Sequence, residues 1–191
     1  MDLLEYPVLA TATTDHPWSD NLAETRLHCR SGVAERLVAA DGALPEGVRL
    51  LVLECHRPLE FQQHIWEENL ALLKESHQDW SEERLLQENA KFVAPPWNVP
   101  PHSTGGAMDL VLADEDGREL DMGSEWNEEG PLMRTDADGI SPEAKANRRM
   151  LLEAMRSAGF VNYPHEWWHF SYGDRYWAYA TGQNVARYTS I

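Results

Sequence analysis

AMDLVLADEDGREL, residues Ala107 to Leu120, divides into an apolar run, a turn and a short polar return. The run Ala107 to Leu112 has the length and composition of a strand. Asp116-Gly117 is a strong hairpin signal, and Arg118 to Leu120 is the short strand expected to return from it. A hairpin set among helices and other short strands indicates α+β rather than a regular βαβ alternation.

Upstream, Val48 to Cys55 (VRLLVLEC) is a second apolar, β-favouring run, bounded by Gly47 and Arg57-Pro58. A helix is expected over Leu59 to Glu75, with Pro58 suited to its first turn, and another over Ser81 to Phe92, ended by Pro95-Pro96. Leu22 to Ala40 also has helical spacing and closes at Asp41-Gly42. Downstream, residues 121–140 are rich in Gly, Asp, Glu and Asn and read as a long loop, a kind of segment that often carries specificity. Ser141 and Pro142 open a last clear helix that runs to Ser157 and stops at Gly159. The aromatic stretch PHEWWHFSYGDRYWAYA, Pro164 to Ala180, is expected to return to the sheet. No repeat or linker interrupts the chain, so residues 1–191 are read as a single domain.

The composition narrows the partners. With 16 Lys plus Arg against 32 Asp plus Glu, the formal net charge is -16. That surplus repels phosphate backbones and anionic lipids, and the densest basic spot is only Arg148-Arg149, so neither nucleic acid nor membrane is expected as a partner. The N-terminal residues carry acids where an export signal carries Lys or Arg, and no run approaches the ~18–20 apolar residues of a membrane span. Cys29 and Cys55 are too few for a disulfide framework and read as buried free thiols, which points to the cytoplasm.

Three short pieces hold the chemistry: Glu54-Cys55-His56-Arg57-Pro58, then Pro101-His102-Ser103-Thr104-Gly105-Gly106-Ala107-Met108-Asp109, then His165-Glu166-Trp167-Trp168-His169. Catalytic zinc sites take three ligands from His, Asp and Glu and use a nearby carboxylate for the proton. The last piece fits HExxH, the helical zinc motif of metalloproteases. Pro164 and the aromatic run favour a strand instead, and on a strand His165 and His169 stand ~13 Å apart at ~3.3 Å per residue, too far for one metal.

HSTGGAMD and EWWHF, with the upstream Arg-Pro, resemble the D-alanyl-D-alanine dipeptidases of the zinc DD-peptidase family, the branch that includes the vancomycin-resistance dipeptidase. Its pattern HxxxxxxD matches His102 and Asp109, seven positions apart, and its ExxH matches Glu166 and His169, three apart. The resemblance implies a zinc DD-peptidase (hedgehog-like) fold, α+β with a small, mainly antiparallel central sheet flanked by helices. It implies one zinc per chain on His102, Asp109 and His169, Glu166 as the base, and Arg57 as the group that stabilises the oxyanion. A structural salt bridge is the competing reading of Arg57. On a strand Glu166 and His169 would face opposite ways, so a local turn, twist or bulge has to bring both to one metal.

The implied activity is zinc-dependent hydrolysis of D-Ala-D-Ala or a similar D,D-dipeptide. The alternatives are a peptidoglycan stem-peptide carboxypeptidase or endopeptidase, and a non-catalytic zinc-binding module. Three positions depart from the dipeptidase pattern: Pro100 replaces a Ser, His56 a Tyr, and Asn127 the Asp that closes MGxxFD, here Met122 to Asn127. That Asp is expected to hold the substrate ammonium. Either Glu125 or Glu128 supplies the charge instead, or the substrate lacks a tightly held amino terminus.

Overall fold

Residues 2–3, 9–10 and 26–191 are described by the computed structural model, and the expected helical positions 22–25 lie outside them. Among the described residues five strands form one sheet: β1 (Leu9–Ala10), β2 (Val48–Glu54), β3 (Ala107–Asp114), β4 (Val161–Asn162) and β5 (His169–Ser171). Their order is β1-β2-β3-β5-β4; β1 runs parallel to β2 and the other pairings are antiparallel. The helices are α1 (Ser31–Asp41), α2 (Leu59–Ser76), α3 (Glu82–Phe92), α4 (Pro142–Ser157) and α5 (Arg175–Ala180). The architecture is α+β, with a mainly antiparallel sheet.

The central strand β3 is buried along its length up to Ala113 and has a strand on each side. Its Met108, Leu110, Val111 and Leu112 join Leu50, Val52 and Leu53 of β2 and Val33 and Leu37 of α1 in one core. Apolar burial of this kind contributes about 25 cal/mol per Å2 and is the main term holding the sheet to its helices.

Local chemistry sets most boundaries. The hydroxyls of Ser81 and Ser141 accept from the backbone N–H of Arg84 and Ala144 and so start α3 and α4. The turn after β3 forms as the Asp-Gly pair requires, with Asp114 Oδ1 accepting from Asp116 N and Arg118 N. The expected return strand shrinks to one bridge between Ala113 and Glu119.

Two expectations are corrected. The helix expected from Leu22 begins at Ser31, because tertiary partners take the backbone groups before it. Arg26 O accepts from Cys55 N at 2.6 Å, Leu27 O from Leu3 N at 3.1 Å, and Arg30 N donates to Gly105 O at 3.0 Å. Those groups cannot also bond within a helical turn. The aromatic strand expected around His165 is broken by a turn between β4 and β5, in which Glu166 N donates to Tyr163 O and His169 N to Glu166 O.

Candidate metal centre

The site grows from one row of residues across the sheet. In the register of β2, β3 and β5, Glu54 lies opposite Asp109 and Asp109 opposite His169. Directly opposed residues project to the same side of a sheet, so three polar side chains from distant parts of the chain converge. A register irregularity between Val52 and Glu54 brings Glu54 into this row.

His102 enters from a 3₁₀ turn, His102–Thr104, just ahead of β3. Gly105 follows in the left-handed region at φ +65°, and a Cβ on Gly106 would stand 2.7 Å from the Tyr172 carbonyl oxygen. The two glycines let the chain reverse tightly enough for His102 to meet Asp109. His102 Nδ1 is 2.8 Å from the Cys55 carbonyl oxygen. A carbonyl only accepts, so Nδ1 carries the hydrogen and Nε2 is left free toward the site.

Glu166 reaches the same place through the turn between β4 and β5. Asn162 Nδ2 lies 3.1 Å from the Glu166 carbonyl oxygen and 3.0 Å from that of His169, while Thr135 Oγ1 donates to Asn162 Oδ1 at 2.6 Å. This clamp removes the conflict that a straight strand would create. Glu166 Oε2 ends 3.9 Å from His169 Nδ1.

His102, Asp109 and His169 are all buried, and their ligand atoms lie within 4.8 Å of one another. Asp109 Oδ1 is 3.0 Å from His169 Nδ1 and 3.3 Å from His102 Nε2, and the two nitrogens are 3.2 Å apart. Tetrahedral ligands bonded to zinc at ~2.0–2.1 Å stand ~3.3 Å from each other. Two imidazoles and a carboxylate at that spacing fit a zinc-type ion in charge and donor type.

The electrostatics favour a cation. Burial works against the charged form of Asp109, but His102 and His169 outweigh it and hold the carboxyl well below its usual range. Burial alone would lower the His169 imidazolium; the hydrogen bond and charge of Asp109, with Glu166, raise it to about 9. Burial pushes the Glu166 carboxyl up, against the opposing effect of His169.

Arg57, Glu166, Trp126, Asn127 and Trp168 line the same cavity of about 540 Å3 as His102, Asp109 and His169. Arg57 N donates to His102 O at 3.3 Å and Ser103 Oγ to Arg57 O at 2.8 Å, so its segment is tied to the His102 turn. His165 is exposed, with Nδ1 3.1 Å from Arg134 Nη1, and takes no part in the cluster. His56, which stands where the dipeptidase pattern has Tyr, is buried.

A model of the D-ala-D-ala dipeptidase family matches residues 8–187. The chain belongs to that family. It is 32% identical over 179 residues to the D-alanyl-D-alanine dipeptidase of Synechocystis sp., covering 81% of this chain and 72% of the relative. It is 33% identical over 144 residues to that of Enterococcus faecium, covering 72% and 69%. Among solved structures, the vancomycin-resistance D,D-pentapeptidase VanY in complex with Zn(II) is similar at 20% identity and a TM-score of 0.49, covering 83% of this chain and 81% of that one.

Sequence reasoning gave Gln62, Asn162 and Trp126 no part in the site and Glu54 no partner there. Glu54 opened one of the three chemistry-bearing pieces, but nothing in the spacing showed that it pairs with Arg57. Asn162 and Trp126 carried no signal in spacing, because their partners are set by tertiary contact.

Proposed function

We propose that this chain is a zinc-dependent dipeptidase of one domain, holding one zinc per chain and hydrolysing D-Ala-D-Ala or a similar D,D-dipeptide. The reading is carried by the buried triangle of His102, Asp109 and His169, with Glu166 and Arg57 on the wall of the same cavity.

A zinc ion held by these three residues supplies Lewis acidity and a nucleophilic water near neutral pH. Glu166 takes a proton from the attacking water as the water oxygen adds to the amide carbon. It returns that proton to the nitrogen as the C–N bond breaks, which leaves a carboxylic acid and an amine; the acid's remaining proton then passes to the amine, giving a carboxylate and an ammonium. Arg57 faces the oxyanion. Glu54 occupies its Nε and one hydrogen on Nη2, and Gln62 one hydrogen on Nη1, so two of its five N–H groups remain for the substrate. A non-catalytic zinc module needs neither Glu166 nor Arg57.

The stem-peptide carboxypeptidase is kept as a second reading. It is favoured by Asn127 in place of the ammonium-binding Asp and by a cavity that continues past Phe61, Ile65 and Leu72 of α2 to Phe92 of α3. Cys29 and Cys55 are buried and not joined in a disulfide, which supports a cytoplasmic setting. Among the described residues no helix is long and apolar enough to cross a membrane.

The deciding experiment measures D-Ala release from D-Ala-D-Ala and from acylated D-Ala-D-Ala, with and without chelator. Chelator-sensitive release from the free dipeptide is expected, and Glu166→Gln should keep zinc while losing about 10²–10⁴-fold in turnover. Faster release from the acylated peptide selects the second reading. No release from either by the zinc-loaded protein rejects both.

A further inference from the structure

We propose that Trp126 is a positioning residue for Asp109, its indole N–H holding one carboxylate oxygen so that the other is presented between His102 and His169. The inference rests on the reading of these three residues as a zinc site. Trp126 Nε1 donates to Asp109 Oδ2 at 3.2 Å, and it is Oδ1 that approaches the two histidines, at 3.0 and 3.3 Å. An indole N–H only donates, so it can fix a carboxylate oxygen without offering a ligand of its own. Without it, Oδ2 would be a buried anionic oxygen missing this donor, and the carboxylate could turn to present either oxygen. The MGxxFD pattern that residues 122–127 resemble has Phe at this place, which cannot donate.

The loop that carries Trp126 is built to hold it. Arg148, buried on α4, donates to the carbonyls of Met122 at 2.6 Å, Arg134 at 2.6 Å and Leu132 at 2.9 Å. Burial, partly offset by Asp121, lowers this guanidinium to about 10. Gly123 sits at φ +85°, where a Cβ would come within 2.5 Å of Ile140. Trp167, the neighbour of Glu166, donates through Nε1 to Ser124 Oγ at 2.9 Å. One loop therefore braces both a ligand and the turn that holds the base.

The test is zinc affinity by chelator competition, together with the visible spectrum of the Co(II)-substituted protein, for the parent and Trp126→Phe. Phe keeps the ring and removes the donor. Zinc affinity should fall on the order of 10- to 100-fold, with a changed Co(II) spectrum and little change in thermal midpoint. In the parent, the assigned Trp126 indole resonance should shift on zinc addition and exchange slowly with solvent, a readout that does not depend on the variant folding. Unchanged affinity and spectrum in a folded variant, or an indole signal indifferent to zinc, overturns the proposal. A parent that binds zinc but cleaves no dipeptide rejects the proposed function and leaves this inference standing; a parent that takes up neither metal rejects both.

Discussion

Glu54 grips Arg57 with both carboxylate oxygens, Oε1 at 2.7 Å from Nε and Oε2 at 2.6 Å from Nη2. Arg57 also lines the cavity that holds His102, Asp109 and His169. Burial works against both charges, yet each partner outweighs it: Arg57 lowers the Glu54 carboxyl, and Glu54 raises the Arg57 guanidinium. Both readings of Arg57, structural salt bridge and substrate-facing cation, are therefore compatible with one geometry.

Glu54→Gln should separate them. The amide keeps the shape and leaves Arg57 a buried cation without its counter-charge, and breaking a buried pair from one side costs about 3–5 kcal/mol. Chemical denaturation should show a large loss of stability. In the folded fraction, kcat should fall while zinc content is kept; an unaltered kcat would confine Arg57 to a structural role.

Zinc affinity should depend on pH through His169. Its folded pKa of about 9 lies above the unfolded value of ~6.5, so in metal-free protein its stabilising contribution is full below pH ~6.5 and is lost as pH rises through 9. Metal has to displace that proton. Affinity is expected to rise about tenfold per pH unit between ~6.5 and 9, with one proton released per zinc, and then to level off. Titration calorimetry in buffers of different ionisation enthalpy checks the proton count.

His165→Ala should bind zinc with the parent stoichiometry and affinity, since the imidazole is exposed and beside Arg134. Loss of metal, measured by elemental analysis after dialysis, would restore the HExxH reading.

Asn127→Asp tests the substrate's amino end. Asn127 is exposed on the cavity rim at φ +63°, a backbone region that Asp also tolerates, so the exchange adds charge without strain. The ratio of kcat/KM for a free dipeptide over its N-acetyl form should rise several-fold, and an unchanged ratio would place the ammonium site elsewhere.

The local signals were strong where neighbours in sequence determine the outcome. Ser141-Pro142 started α4, Asp116-Gly117 made its turn, and the two glycines after Thr104 allowed the reversal that brings His102 to Asp109. The signals failed where long-range bonds compete. Residues 26–30 have helical spacing but give their backbone groups to Leu3, Cys55 and Gly105, and the aromatic run around Glu166 is interrupted by a turn that Asn162 clamps.

From sequence alone, HSTGGAMD and EWWHF supplied the candidate ligand types and their order, through resemblance to the zinc DD-peptidases, because residue identity and short spacing are properties of the chain itself. Only the tertiary structure placed Glu54, Asp109 and His169 in one row, since strand register is set by packing between segments more than fifty residues apart. The same holds for Trp126 on Asp109: a hydrogen bond between a loop and a strand leaves no periodic trace in the sequence, and the loop that carries it is tied by Arg148 to α4.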